Sequence, residues 1–157
     1  MFWKLTNQEF AASVYERNRR AQKAIVTAGG VPGILAYLGE EPVGWIAVEQ
    51  RSAYPRLARS QILKPIDDEP VWSITCFFTR REFRGQGITV LLLRAAIEHV
   101  KRRRGRILEG YPIDSKTDRL PAASAYVGVA QAFRKAGFRE VARGSAARPI
   151  FRHVVEA

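Results

Sequence analysis

Runs of apolar residues separated by polar breaks divide this chain into short strands and a few helices. Val71 to Phe78 is dense in apolar and β-branched residues and reads as a buried strand. Ile88 to Arg104 then reads as a helix: Arg94, Glu98, Lys101 and Arg102 share a polar face, and Leu92, Leu93, Ala96, Ile97 and Val100 make the rest apolar. Ile107 to Tyr111 is a further strand. A strand–helix–strand unit of this kind implies a right-handed crossover and parallel pairing. Upstream, Ile34–Leu38 and Val43–Glu49 flank the turn Gly39–Pro42 and predict an antiparallel hairpin. Downstream, Ala122–Ala136 reads as a helix ended by Gly137, and Phe138–Ala142 and Ile150–Val154 as closing strands.

At the start of the chain, Phe2–Leu5 predicts a short strand. Thr6 and Glu9 then have capping-box spacing for a helix that runs to about Thr27, with Phe10, Val14, Ala21 and Ile25 on one face. Arg51 to Pro70 is a long connection holding one short helical turn, and Pro112 to Pro121 is a polar loop. The pattern is that of an α/β domain with a mixed sheet. The 157 residues suit one domain over 1–157.

Composition narrows the class. Hydrophobic residues make up 46% of the chain, enough for a packed core. The first residues lack a signal-peptide pattern, and no apolar run approaches membrane-spanning length. A single cysteine, Cys76, excludes an internal disulfide and fits a reducing cytoplasm. Cys76, His99 and His153 are too far apart for zinc spacing, so no metal is expected. The formal charge of +11 admits nucleic acid, an anionic membrane surface or an anionic small molecule. Part of it, Lys101 to Arg104, closes a helix where cations complement the dipole, with Gly105 as the expected C-cap. No aromatic residue is interleaved there to stack bases, so nucleic acid is the weaker reading and no membrane partner is expected.

The stretch Arg80-Arg81-Glu82-Phe83-Arg84-Gly85-Gln86-Gly87-Ile88-Thr89 sits where the central strand becomes the long helix. Two glycines precede the helix, and no acidic residue follows in its first turn. Bare amides at a helix start make an anion site, with phosphate the usual guest. The plain alternative is a turn that needs glycine for its backbone geometry. Arg84-Gly85-Gln86-Gly87-Ile88-Thr89 resembles the Arg/Gln-x-x-Gly-x-Gly/Ala signature of the GNAT superfamily of acyl-CoA N-acyltransferases. Glu40-Glu41-Pro42-Val43-Gly44-Trp45 is similar to that family's hairpin, and Lys135-Ala136-Gly137-Phe138 to its Lys-x-Gly-Phe segment. The resemblance runs from about Val43 to Arg143.

This resemblance implies a GNAT-like fold: a central mixed sheet with a splayed parallel strand pair, flanked by helices, its first strand here short or missing. It implies acetyl-CoA as the donor. The pyrophosphate would lie on Arg84, Gly85, Gln86, Gly87, Ile88 and Thr89, and the pantetheine along Phe77, Phe78 and Thr79. Thr89 departs from the small residue usual there. The implied acceptor is a small-molecule or peptide amine, and a homodimer stays open.

Amine acylation needs a neutral amine, a donor for the developing oxyanion and a proton or solvation for the leaving thiolate. A backbone N–H near Phe78 is the expected oxyanion donor. Glu109, within the second parallel strand, is the expected base, against a solvent-facing charge; Asp114 and Asp118 read as turn residues. Cys76 reads as an inert buried thiol and His99 as a structural histidine. Relatives carry a proton-giving tyrosine where this chain has Phe133. Phe133 is expected to pack on pantetheine, and Tyr126, two helical turns earlier, to act as the acid, with Tyr111 or water as alternatives. Two readings remain: transfer of an acyl group from CoA to an amine, and a module that binds acyl-CoA or nucleic acid without turnover.

Overall fold

The computed structural model describes residues 2–12, 15–114 and 126–156. Six strands form one sheet: β1 (Gly33–Leu38), β2 (Glu41–Gln50), β3 (Val71–Thr79), β4 (Ile107–Gly110), β5 (Arg139–Ser145) and β6 (Arg148–Val154). Their order is β1-β2-β3-β4-β6-β5, antiparallel except for the β3–β4 pair. The helices are α1 (Asn7–Ala11), α2 (Tyr15–Thr27), α3 (Pro55–Arg59), α4 (Ile88–Arg102) and α5 (Ala130–Lys135).

Alternation along the strands gives the sheet two different faces. Ile46 and Val48 of β2, Ile74 and Phe77 of β3, and Leu108 of β4 meet Leu92, Leu93, Ala96 and Val100 of α4 and Phe133 of α5 in the main core. The opposite face carries a smaller cluster, Tyr54, Leu57, Leu63, Tyr111 and Ile150, roofed by the 51–70 connection. That connection holds a 3-10 turn (Arg51–Ala53) and α3. At roughly 25 cal/mol per Å² of apolar surface removed from water, the face under α4 carries most of the burial that holds the sheet.

One irregularity shapes the site. Ala47 pairs with Cys76 and Val48 with Ile74, so Thr75 is an unpaired extra residue, a β-bulge in β3. The bulge lets Ile74 and Phe77 face the same core although they are three apart. Parallel pairing of β3 with β4 covers only Val71–Ile74 against Ile107–Gly110, after which the two strands part.

Several local expectations need correction. Phe2–Lys4 is a 3-10 turn, not a strand. Arg56 fixes it by stacking 3.9 Å over the Phe2 ring and donating to the Leu5 carbonyl at 2.8 Å, which leaves no edge for pairing. The Thr6/Glu9 capping box forms, but the helix continues only to Ala11, and α2 buries no residue. The α4 end is a Schellman-type close in which Arg104, not Gly105, takes the left-handed conformation (φ 57°), with Gly105 N–H donating to Val100. Finally, α5 begins at Ala130, eight residues later than expected. Gly128 at φ +85° and the extended Val129, bridged to Ile113, hold the preceding turn out of the helix. Val14, Asp118 and the start of the expected 122–136 helix lie outside the described residues.

Candidate functional site

At the end of β3, a 3-10 turn (Arg81–Phe83) leads into the glycine turn and α4. Gly85 (φ 78°) and Gly87 (φ 81°) are both left-handed, and a Cβ at either would meet nothing within 4 Å. Glycine is therefore needed here for backbone direction and not for space, at a cost of about 1–2 kcal/mol for an L-residue in that region. Side chains brace the turn from outside: Arg84 Nε donates to the Thr79 carbonyl at 3.1 Å and Gln86 Nε2 to that of Glu82 at 3.1 Å.

Gly87 is the N-cap of α4 and brings no side-chain acceptor; the first turn holds no acid. Among the described residues, no backbone carbonyl accepts from the amides of Gln86, Gly87, Ile88 or Thr89. Gly87, Ile88 and Thr89 line a cleft of about 220 Å³, walled across from them by Val129, Gln131 and Lys135 of α5 and its approach. A string of unmet N–H groups, a helix N-terminus and an ammonium together suit a phosphate-bearing ligand. Arg84, Gly85, Gly87, Ile88, Thr89 and Thr79 all line this cleft. Gln86 instead turns its amide to the loop. Lys135 was expected only as part of a motif; its place on the cleft wall depends on packing between α5 and α4.

A second cleft lies on the other face of the sheet, over β2 and β3. That cleft measures about 90 Å³ and includes Trp45, Ala47, Tyr54, Thr75, Cys76 and Tyr126. Lys4 also lines it, ion-paired to Glu49 and lying 5.7 Å from the Tyr54 ring centroid. The Tyr54 hydroxyl and Trp3 Nε1 are buried with no hydrogen-bond partner on this wall. Burial pushes the Tyr54 phenol above its ordinary range. Of these cleft residues, Tyr126 and Cys76 were singled out from the sequence; Trp45 read there as a strand position and Tyr54 as part of the long connection.

Tyr126 reaches the cleft by a route other than the one expected. It lies in the turn before α5, so the helical-face argument that linked it to Phe133 does not hold. Its carbonyl accepts from Phe77 N–H at 2.6 Å, and its ring meets Phe2 edge-on at 6.5 Å. Burial raises its phenol, with Arg148 opposing, so it stays protonated at neutral pH. The amide facing the β3–β4 gap is thus Phe77's, whereas the expectation lay near Phe78. The Phe77 side chain turns into the main core, and Phe78 is 55% exposed.

Two expectations fail on burial. Phe133 has no exposed surface to offer pantetheine: its ring is enclosed by Phe77, Phe138 and Phe151 at 5.2–6.0 Å between centroids. Glu109 is 1% exposed and its oxygens are taken. Arg51 Nη1 (3.0 Å) and the Tyr111 hydroxyl (2.6 Å) donate to Oε1, and Arg152 Nε (2.7 Å) to Oε2. With both oxygens bonded to donors of Arg51, Tyr111 and Arg152, the carboxylate has no free edge to turn toward an acceptor amine. Tyr111 is likewise committed, 1% exposed and driven up by burial and by the Glu109 charge. Cys76 is a free thiol raised by burial, as expected of an inert one. Among the described residues there is no cluster able to hold a metal ion and no helix long and apolar enough to cross a membrane.

Comparison with known proteins bears on the fold and the family. A search of curated proteins gives no match. Among solved structures, a GNAT-family protein from Desulfovibrio desulfuricans superposes with a TM-score of 0.56 at 15% identity, covering 91% of this chain and 84% of that one. The ribosomal-protein-alanine N-acetyltransferase of Brucella melitensis gives 0.56 at 16% identity, over 90% and 79%. A Salmonella typhimurium protein solved with its cofactor acetyl-CoA gives 0.56 at 15% identity, over 91% and 75%. These likenesses establish the fold. The family model for acetyltransferases of the GNAT family matches residues 1–138, reaching further toward the N-terminus than the motifs alone, and the chain belongs to that family.

Proposed function

We propose that this protein transfers an acetyl group from acetyl-CoA to a primary amine, with both bound at once. The observation that carries this reading is the glycine turn: unmet amides at the start of α4, opening onto a cleft with Lys135 on its far wall. When bound, acetyl-CoA supplies an activated thioester carbonyl. The residues present fit it. The amides of Gly87, Ile88 and Thr89 and the Lys135 side chain would hold the pyrophosphate, and the arm would run toward the point where β3 and β4 part.

The chain's own groups do the rest. The acceptor enters the far-face cleft between the rings of Trp3, Trp45, Tyr54 and Tyr126, beside the Lys4–Glu49 ion pair. Tyr126, protonated at neutral pH, gives its phenolic proton to the departing sulfur. Glu109 and Tyr111 hold the frame behind this cleft and take no part in proton transfer.

The acceptor class, a small-molecule or peptide amine, follows from the small volume of the far cleft, about 90 Å³. Release of free thiol from acetyl-CoA, followed across a panel of amines, tests the reading. Amine-dependent thiol release is the expected result. Tight CoA binding without release under any amine would leave a binding module instead.

A further inference from the structure

The far-face cleft already contains a primary amine. Lys4 puts its ammonium there, against the Glu49 carboxylate and over the Tyr54 ring, on the same wall as Thr75 of the bulge and Tyr126. Its side chain is 17% exposed, unusual for a lysine, and that of Glu49 20%. The position is held, not accidental. The Phe2 ring stacks edge-on with Phe10 and Trp3, each at 5.2 Å, and Arg56 clamps the Leu5 and Thr6 carbonyls just after Lys4.

We propose that Lys4 is itself an acetyl acceptor, modified on Nζ by this protein's own site. The proposal rests on the acetyl-transfer reading above and adds a specific modification to it. Three features of Lys4 suit the chemistry. The amine is pre-positioned, so its encounter with a bound thioester is intramolecular and free of the entropic cost of association. A carboxylate in contact with the ammonium fixes the amine against the cleft wall and is the base nearest to its proton. The cleft wall around it carries the rings of Trp3, Trp45, Tyr54 and Tyr126.

The step balances as follows. Glu49 accepts one proton from the Lys4 ammonium. The freed lone pair of Nζ forms a bond to the acyl carbon as the carbon–sulfur bond breaks. The amide nitrogen loses its second proton, the departing sulfur gains one, and the net products are Nζ-acetyl-Lys4, free CoA and one proton. No oxidant or further reactant is required. The modified side chain carries no charge, and Glu49 loses its ion pair, so the cleft changes from a cation-filled pocket to one with an unpaired carboxylate facing an incoming amine.

The test uses the full chain with acetyl-CoA alone, read by intact mass and peptide mapping, with calorimetry of CoA binding alongside. The expected result is the mass of one acetyl group placed on Lys4, in preference to Lys23, Lys64, Lys101 and Lys135. The first-order rate should be unchanged on dilution of the protein. Lys4→Arg should show no such gain, and Glu49→Gln should slow it by about tenfold or more. Bound CoA with no acetyl on Lys4 overturns the proposal while leaving acetyl transfer to other amines intact. Acetylation of Lys4 that scales with protein concentration, or that persists equally in urea-unfolded chain, also overturns it. Failure of CoA to bind at all overturns both this proposal and the reading on which it rests.

Discussion

The Tyr111 hydroxyl donates to Oε1 of Glu109, two residues earlier in the chain, at 2.6 Å, while Ser73 Oγ lies 2.8 Å from the same hydroxyl. Arg51 bridges both, at 2.6 Å to the phenol oxygen and 3.0 Å to the carboxylate, and Arg152 carries the network out to Asp67. The acid in the second parallel strand is thus the centre of a buried charge lattice. It ties β3, β4 and β6 to the 51–70 connection.

Glu109→Gln should therefore unfold more easily and not merely turn over more slowly. Removing one partner of a buried ion pair typically costs about 3–5 kcal/mol. Urea titration should show that loss, while the turnover of the fraction still folded stays within a few-fold of the parent. A loss of about a hundredfold or more in kcat at unchanged stability would return Glu109 to the role of base.

Gly87→Glu should abolish CoA binding in a folded protein. The left-handed backbone costs about 1–2 kcal/mol, but open space around the position leaves the fold intact. The new carboxylate lies beside the amides that face the pyrophosphate. Calorimetry with CoA, on a variant whose circular dichroism matches the parent, measures this; unchanged affinity would place the phosphates elsewhere.

Restoring the tyrosine usual in relatives should not help. A Cβ at Gly110 would already come within 2.2 Å of Phe133 Cε1 and 2.7 Å of Cζ, so the ring tip presses on the β4 backbone. The hydroxyl of Phe133→Tyr would enter that contact without a partner, at a cost of about 1–3 kcal/mol. The expected outcome is a lower melting temperature with no gain in kcat. A faster enzyme would show that the ring swings out when substrate is bound.

Tyr126→Phe should lower kcat by about tenfold or more while CoA affinity holds, since the carbonyl that meets Phe77 N–H is untouched. Steady-state kinetics beside calorimetry separates the two. Unchanged kcat would leave water as the proton source.

His99 packs edge-on to Trp72 at 5.7 Å, and burial, helped by Arg103 and Arg102, holds its pKa below the ordinary 6.5. The unfolded chain then binds more protons than the folded one just below pH 6.5. Stability is full above that value and is lost as pH falls through it toward the folded value. The melting temperature should drop on acidification from about pH 7, and His99→Leu should flatten that slope.

Much of this was legible in the sequence. The hairpin, the β3–α4–β4 unit, the capping box and the glycine turn follow from local signals: alternation, helical spacing and residues with a single conformational use. What could not be read depends on distant parts of the chain meeting. Glu109 looked free because Arg51 and Arg152 are 58 and 43 residues away. Phe133 looked available because nothing local shows Phe77, Phe138 and Phe151 closing around it. Lys4 and Glu49 carried no signal at all until the 3-10 turn was placed beneath β2. Tyr126 differs: Gly128 is a local cue in the sequence against the continuous 122–136 helix that linked Tyr126 to Phe133.

The bond from Phe77 N–H to the Tyr126 carbonyl has a meaning beyond the site. Wherever two neighbouring strands part, the sheet acquires an edge in its interior, and an open edge invites any extended peptide to add itself. Here the chain supplies its own short stretch of backbone at that edge, while the Ile113–Val129 bridge closes the far side. What remains is too short for a foreign strand to pair with. The sheet thus guards itself against aggregation at the very place where it must stay open to a guest.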